Sequence, residues 1–198
     1  LLVKVAALYH DVGKMEKAQY FSENQREGSN PHENLEPSMS SLIIASHVKY
    51  GIELAKLNRL PEMIVDAIPQ HHGTSLIRFF YEKAKEKQNP DTGVTDENDY
   101  RYQGPKPQTR ESGILMLADS VEATARSLKD PSPARLEEMV KKTATRIFMD
   151  GQLDECELTL KDLNAIEKAF TSVLLSMYHY RPEYPGMEEE TKKDDYID

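Results

Sequence analysis

The chain has 198 residues, of which 38% are hydrophobic and 30% are charged, and its formal net charge is -9. Length and composition indicate one globular domain with its own core, and they exclude a membrane-spanning helix, because no apolar run approaches the ~20 residues that cross a bilayer. The negative charge argues against a general binder of nucleic acid polymers, since a basic face supplies most of the affinity of such proteins.

The first nine residues are apolar and compatible with a helix, and no capping residue stands before them. We therefore expect that the chain starts inside a helix and that it derives from a longer protein. The adjacent pair His10-Asp11 follows. Gly13 is predicted to stop or bend the helix just after this pair.

The segment from 16 to 36 is rich in Asn, Gly and Pro, and it is predicted to be a loop able to cover a site. His32 lies on this loop and is either a substrate contact or an ordinary loop residue. Pro37 then opens a strong helix that continues to residue 57. Helical spacing turns His47 inward, on the same face as Ile43, Gly51 and Leu54.

Short helices joined by proline turns are predicted next. One helix covers residues 62–68 and is ended by Pro69. The doublet His71-His72 begins a new segment, in which Thr74 is expected to cap a helix over residues 76–87. Residues 88–108 form a long polar excursion without periodicity, a type of segment that is usually a functional lid or disordered.

The remaining chain is predicted to be helical. A long helix over 108–128 carries Asp119, and two amphipathic helices follow over 134–149 and 160–179. The acidic end of the chain, residues 187–198, is expected to be frayed, and His179 is expected to lie on the surface. No segment alternates apolar and polar residues for long enough to form a strand, so the fold class is all-α.

A group of imidazoles and carboxylates spread along the chain predicts a metal site. Its members are His10, Asp11, His47, His71, His72 and Asp119. Nitrogen and carboxylate oxygen suit first-row cations such as Fe, Mn, Co, Ni or Zn, and no thiolate competes, because Cys156 is the only cysteine. Four imidazoles and two carboxylates suffice for a two-metal centre with open positions for water and phosphate.

The same residues have structural explanations when each is taken singly. Alone, His47 reads as a satisfied core histidine, and Asp119 as the partner in an internal salt bridge. Adjacent residues on a helix diverge by ~100°, so Asp11 can bridge two ions while His10 ligates one of them. The combination of inward-facing donors therefore favours metal binding.

The motif order resembles the HD superfamily of metal-dependent phosphohydrolases. More narrowly, five segments are similar to the cytoplasmic HD domain of the seven-transmembrane-HD family of cyclic di-AMP phosphodiesterases. They are His-Asp-Val-Gly-Lys from His10, Ser-His-Val-Lys-Tyr-Gly from Ser46, Gln-His-His-Gly-Thr from Gln70, Gly-Pro-Lys-Pro from Gly104 and Met-Leu-Ala-Asp-Ser-Val-Glu-Ala from Met116. The last two segments separate this group from other HD enzymes.

The resemblance implies an HD-domain helical bundle over residues 1–186 and an acidic tail over 187–198. It also implies a di-iron or di-manganese site, with Asp11 as the bridging ligand. The ligands carried over are His10, Asp11, His47, His71, His72 and Asp119. The implied reaction is hydrolysis of cyclic di-AMP to linear 5'-pApA by a cytoplasmic domain of a membrane-anchored bacterial protein. Family members carry one more histidine ligand upstream of His10, and this chain has no residue there.

Beyond the ligands, Lys14 and Arg126 are candidate substrate contacts. Lys14 follows Asp11 by three residues, so its ammonium returns to the same side of a helical turn and could offset charge on the phosphate. The alternative is an ordinary surface lysine. Arg126 follows Asp119 by one heptad and either reaches the phosphate or pairs with Glu122.

Thr74 is expected to cap a helix, to touch the substrate, or to do both. Tyr102 and the Gly-Pro-Lys-Pro segment are candidates to stack on or frame a base, since aromatic stacking holds any purine. With Asp11 and Lys14 as the catalytic pair, the sequence favours a cyclic-dinucleotide phosphodiesterase.

Two other functions stay open at this stage. One is a mononuclear HD phosphohydrolase of nucleoside polyphosphates, in which at most one member of the His71-His72 doublet would bind metal. The other is a module that senses a nucleotide without catalysis. The residue types do not choose between Fe and Mn. Cyclic di-AMP is preferred to cyclic di-GMP by resemblance alone, and the oligomeric state is open.

Overall fold

The computed structural model describes residues 1–25, 30–88, 94–128 and 131–178. Within these ranges the chain forms α-helices and short 3₁₀ segments, and the only β-pairing there is an isolated bridge between Leu76 and Arg101. The expected all-α fold is confirmed. The predicted tail over 187–198 and His179 lie outside the described residues.

Seven α-helices lie within the described ranges. They are α1 (Leu2–Tyr9), α2 (Pro37–Leu57), α3 (Glu62–Gln70), α4 (Arg78–Lys87), α5 (Arg110–Arg126), α6 (Pro133–Met149) and α7 (Leu160–Met177). The 3₁₀ segments are Val12–Tyr20, Ser22–Asn24, Pro31–Asn34 and Glu97–Tyr100. None of the helices described here combines the length and apolar character needed to cross a bilayer.

Helix α5 joins two apolar cores. Its Leu115 packs with Ala6 of α1 and Ile64 of α3, whereas its Leu117 packs with Ile147 of α6 on the opposite side. Further along α5, Val121 continues the second core against α6 and α7. Asp119 is therefore carried on a helix that is packed on both sides.

A close approach at Gly13 brings the start of the chain onto α2. A Cβ atom at Gly13 would overlap the backbone of His47 and Gly51, so only glycine fits there. The predicted role of this glycine in ending the first helix is wrong. Helix α1 ends at Tyr9, and Gly13 lies inside the following 3₁₀ segment, where it allows the contact that places Asp11 beside His47.

Two predicted helix boundaries are wrong. Helix α3 continues through Pro69 to Gln70. A proline there removes only one hydrogen bond, because the helix ends at the next residue. Helix α4 begins at Arg78 with Ile77 as its N-cap, and not with Thr74. Its start is delayed because the Ile77 N–H donates to the carbonyl of Tyr100, 2.8 Å away, which keeps this stretch extended.

The segment predicted as a covering loop is more ordered than expected. Its described residues form three of the 3₁₀ segments, and His32 is only 5% exposed. The His32 Nε2 lies 2.9 Å from the carbonyl of Tyr20, and the ring packs against Tyr20 and Phe80. His32 therefore ties this segment to α4. Of its two sequence-based alternatives, the structural one fits this burial.

Candidate metal centre

Four parts of the fold converge at the predicted ligands. His10 and Asp11 lie between α1 and the Val12–Tyr20 segment, and His47 lies in the middle of α2. His71 and His72 follow α3 directly, and Asp119 lies in α5. The structure brings together all six residues, which the sequence spreads over more than 100 positions.

The donor atoms fall into two groups that share one carboxylate. Asp11, His47, His71 and His72 form one group, and His10, Asp11 and Asp119 form the other. Within each group the ligand atoms lie within 4.8 Å of one another. Two overlapping groups with Asp11 in both have the layout of a pair of cations bridged by a carboxylate.

Three of the histidines are oriented by their own helices. The Nδ1 atoms of His10, His47 and His71 lie 3.0, 2.6 and 2.5 Å from the carbonyl oxygens of Ala7, Ile44 and Ile68, each three residues earlier. A carbonyl only accepts, so each Nδ1 carries the proton and donates it. In the neutral ring each Nε2 then has a free lone pair, which is the form of imidazole that binds metal.

Buried donor atoms at the centre of the cluster have no hydrogen-bond partner. They are Nε2 of His10, His47 and His71, and Oδ1 of Asp11. A buried polar atom without a partner is costly, so such a concentration requires an explanation. The Nε2 atoms lie 3.2 to 3.7 Å from the Asp11 oxygens. Two ligands of one ion at ~2.1 Å are separated by about that distance, so the residues fit a metal.

The pKa values favour ligation at most positions. Burial, followed by the neighbouring His71, lowers the pKa of His47 to about 4. Burial, followed by the neighbouring His71 and His47, lowers the pKa of His72 well below its usual value. Burial alone would raise the pKa of Asp11, but the neighbouring His10, His71 and Lys14 outweigh burial and hold this pKa far below its usual range. Neutral imidazoles and an ionised carboxylate are the forms that bind cations.

His10 differs from the other histidines. Burial alone would lower its pKa, but the carboxylates of Asp11 and Asp119 outweigh burial and raise the pKa to about 10. Without a cation, the positive charge between these two carboxylates is therefore a proton on His10. A metal ion at the same position replaces that proton.

Lys14 lies at the edge of the cluster. Its Nζ is 2.8 Å from Asp11 Oδ2 and 2.8 Å from Glu23 Oε1. Burial would lower the pKa of this ammonium, but Asp11 and Glu23 raise it, so Lys14 is a permanent cation. The structure thus places Lys14 beside the proposed bridging ligand. Sequence reasoning missed Glu23, which lies nine positions away and belongs to no motif.

A cleft opens from the cluster toward solvent, with His72, Tyr102 and Asp119 in its wall. The Tyr102 ring stacks on His72 with their centroids 4.1 Å apart and their planes at 14°. Burial, and after it Asp119 and Asp11, raise the pKa of Tyr102, so its hydroxyl is neutral. One face of the tyrosine is thus used by a histidine, and its predicted stacking on a base remains a prediction.

Two predicted substrate contacts lie away from this cleft wall. The Thr74 N–H donates to Gln152 Oε1, 2.9 Å away, and its hydroxyl accepts from Gln152 Nε2 at 3.0 Å. Arg126 is 63% exposed and pairs with Glu122, which is the structural alternative that the sequence left open. Neither Thr74 nor Arg126 is among the cleft-lining residues. Their contact with substrate remains a prediction.

Sequence reasoning also missed an arginine network beside the cleft. Arg101 reaches Asp150 through two nitrogens, at 2.8 and 3.1 Å, and it binds Glu97 and the carbonyl of Thr74. Gln152 donates to Asp150 at 2.8 Å. The network fixes the segment that carries Tyr102 against the turn after His72. Its members are up to 78 positions apart, so no local pattern revealed it.

The fold and the donor cluster define the class of protein. The sequence matches the HD domain family over residues 1–124, and the chain belongs to this family. Phosphohydrolases of the HD family are metal-dependent, and the cluster described above is able to hold metal.

Two curated relatives are similar to nearly the whole of this chain. The chain is 46% identical over 193 residues to the cyclic-di-AMP phosphodiesterase PgpH of Bacillus subtilis (strain 168), covering 98% of this chain and 26% of the relative. It is 46% identical over 185 residues to the Listeria monocytogenes PgpH (serotype 1/2a, strain 10403S), covering 93% and 25%. The chain therefore spans about a quarter of the length of these curated relatives.

Solved structures agree with the fold. The crystal structure of the L. monocytogenes PgpH HD domain superposes with a TM-score of 0.84 at 44% identity, covering 90% of this chain and 82% of that one. The same domain in complex with cyclic-di-AMP gives a TM-score of 0.85 at 46% identity, covering 90% and 81%. The expected HD-domain helical bundle is confirmed.

Proposed function

We propose that the protein is a metal-dependent phosphodiesterase that hydrolyses cyclic di-AMP to linear 5'-pApA. The observation that carries the proposal is the pair of donor groups that share Asp11, beside a cleft lined by two of their members, His72 and Asp119. The relatives named cyclic-di-AMP phosphodiesterase and the related domain in complex with this nucleotide support the choice of substrate.

The proposed cofactor is a pair of Fe or Mn ions. Asp11, His47, His71 and His72 would hold one ion, and Asp11, His10 and Asp119 the other. When bound, such a pair lowers the pKa of a water molecule and neutralises charge on the phosphate oxygens. This donor set of nitrogen and oxygen atoms suits both metals.

The chain itself supplies orientation and charge. The carbonyls behind His10, His47 and His71 hold the ring nitrogens toward the centre, so no ring has to turn when the site is used. Lys14 brings a fixed positive charge to the Asp11 edge, where it would contact a phosphate oxygen and stabilise the charge that develops in the transition state. In this proposal Asp11 and Lys14 are the catalytic pair.

The test is direct. The purified protein is stripped of metal, reconstituted with Mn(II) or with Fe(II) under anaerobic conditions, and incubated with cyclic di-AMP. We expect 5'-pApA as the product and two metal equivalents per chain. The proposal would be contradicted if protein that binds two metal equivalents left cyclic di-AMP unhydrolysed.

Two other results would select the other functions. One metal equivalent together with hydrolysis of nucleoside triphosphates would favour a mononuclear phosphohydrolase, which the shared Asp11 argues against. Tight binding of cyclic di-AMP without turnover would favour a sensing module. We further propose, from the resemblance to seven-transmembrane-HD enzymes, that the domain acts on the cytoplasmic side of a membrane-anchored bacterial protein.

A further inference from the structure

Two arginines line the same cleft as the donor cluster. Arg78 is the first residue of α4, and Arg146 lies in the last turn of α6. Both line the cleft together with His72 and Asp119, which belong to the donor groups. The cleft thus runs from the donor atoms to a pair of guanidinium groups contributed by separate helices.

These two arginines are close enough to repel each other. Although Arg146 is exposed as a residue, partial burial lowers the pKa of its guanidinium, and the charge of Arg78 lowers it further, whereas Asp150 opposes this shift. Two like charges that face one cleft repel each other, and an anion bound between them relieves that repulsion. The arrangement therefore indicates a site for a negatively charged group.

The nearby carboxylate is already occupied. Asp150 accepts two hydrogen bonds from Arg101 and one from Gln152. Within the described part of the chain, neither Arg78 nor Arg146 takes part in a salt bridge. By contrast, Arg101, Arg110 and Arg126 each pair with an acid. In a chain with a net charge of -9, this cleft thus contains two arginines that have no salt-bridge partner among the described residues.

We propose that Arg78 and Arg146 bind the second phosphate of the cyclic dinucleotide, the one that is not cleaved. This inference rests on the function proposed above. A cyclic dinucleotide carries two phosphodiesters on one ring, so when one lies at the donor cluster the other must lie a short distance along the cleft. Planar guanidinium groups match the oxygens of a phosphate and can each bind two of them.

The proposal makes the arginine pair a determinant of specificity. A substrate with one phosphate would use only the donor cluster and Lys14, whereas a cyclic dinucleotide would also gain the contacts of Arg78 and Arg146. Asp119 and Asp150 also face the cleft, and their charges would disfavour a second phosphate without these cations. The pair would therefore select for substrates with two phosphates.

The experiment compares two ligands that differ in the second phosphate. Cyclic di-AMP has two adenosines and two phosphodiesters, and the linear dinucleoside monophosphate ApA has two adenosines and one. We would measure kcat and KM for cyclic di-AMP and the inhibition constant of ApA, using the Mn-loaded protein. The variants are Arg78→Gln, Arg146→Gln and the double variant, with Arg110→Gln as the matched control because Arg110 pairs with Asp162 outside the cleft.

Each single variant should raise KM for cyclic di-AMP by about 10- to 100-fold, the value of one hydrogen bond to a charged group, while kcat changes by less than about 3-fold. The inhibition constant of ApA should stay as in the wild type. Arg146→Lys should recover part of the affinity, because a lysine keeps the charge without the planar fork. The double variant should lose less than the product of the single losses, since both groups bind one phosphate.

The outcomes separate the two proposals. A wild type that leaves cyclic di-AMP intact overturns the proposed function and, with it, this inference. A wild type that turns over cyclic di-AMP while both variants keep its KM overturns the inference alone. An equal weakening of ApA and cyclic di-AMP in the variants also overturns it, because the arginines would then contact a part that both ligands share.

Discussion

The donor cluster and the Arg101 network are both polar regions beside the same cleft, but they differ in one respect. In the donor cluster, buried atoms of His10, Asp11, His47 and His71 lack a hydrogen-bond partner. In the network, Arg101 binds two carboxylates and a backbone carbonyl. A region whose bonds are complete holds the fold in place, whereas a region left incomplete is prepared for a ligand.

Removal of the carboxylate that both donor groups share should have the largest effect on metal content and activity. Asp11→Asn takes one charged ligand from both donor groups. We expect the bound metal to fall below one equivalent and the hydrolysis of cyclic di-AMP to fall by about 1,000-fold or more. Metal analysis and product chromatography measure both quantities. Asp66→Asn, at an exposed position on α3, is the control, and a fully metallated Asp11→Asn enzyme would contradict the assignment.

Lys14 tests whether charge at the edge of the cluster acts on the reaction or only on the fold. We expect Lys14→Gln to lower kcat by about 100- to 1,000-fold, as for the loss of a preorganised donor, with the metal content unchanged. Lys17→Gln is the matched control, because the Lys17 ammonium lies over the Tyr50 ring and makes no contact with Asp11. Loss of metal in the Lys14 variant would instead indicate that the lysine supports the ligands.

Gly13 tests how the fold holds the donor cluster. In Gly13→Ala the new methyl group would overlap the backbone of α2, which cannot move aside as a side chain can. The free energy of unfolding should fall by about 3 kcal/mol, as measured by urea denaturation of the metal-free protein.

Gly113 provides the comparison for this substitution. A methyl group there would meet the side-chain atoms Leu158 Cδ1 at 2.8 Å and Cys156 Sγ at 3.1 Å, and both can shift. We expect Gly113→Ala to change stability by less than about 1 kcal/mol, because the gain in helix propensity offsets the contact. Equal losses in the two variants would refute the close approach as the cause.

A substitution in the Arg101 network should lower stability and leave the metal content unchanged, in contrast to a substitution in the donor cluster. Arg101→Gln leaves Asp150 without its bidentate partner, so we expect a stability loss of about 2 kcal/mol with the metal content retained. Arg110→Gln, which removes an exposed pair with Asp162, should cost less than about 1 kcal/mol. Denaturation curves and metal analysis of both variants measure the stability loss and the metal content. A loss of metal from the Arg101 variant would erase the distinction between the two regions.

The last expected effect is a pH dependence of the metal-free protein. The folded pKa of His10, about 10, lies above its unfolded value of 6.5. Its contribution to stability is therefore complete below pH 6.5 and is lost as the pH rises through 10. The Tm of metal-free protein should fall over this range, and the fall should be smaller in His10→Gln. An identical decline in both proteins would contradict the charge assigned to His10.

The convergence of the donor cluster could be predicted from the sequence, because its members lie in short motifs whose helical spacing is local. The inward position of His47 followed from the residues that share its face on α2, and His47 is 1% exposed. The all-α class followed from the same periodicity. The actual start of α5 at Arg110, after the Thr109 cap, lies within two residues of the prediction.

The errors came from contacts between distant positions. Thr74 has the residue type of a helix cap, but the pairing of Leu76 with Arg101 keeps the chain extended past it. Gly13 has the residue type of a helix stop, but its conformation is required by the backbone of α2. Likewise, Arg78 and Arg146 share a cleft although 68 positions separate them, and no sequence pattern links such a pair.

The carbonyl groups behind His10, His47 and His71 have a consequence for the order of assembly. Each ring takes its tautomer and direction from a partner three residues away, so this preparation is completed as soon as the local turn forms. The apolar cores of α5, α6 and α7 also need no cation. Under the proposed function, the polypeptide would therefore fold first and bind metal afterwards.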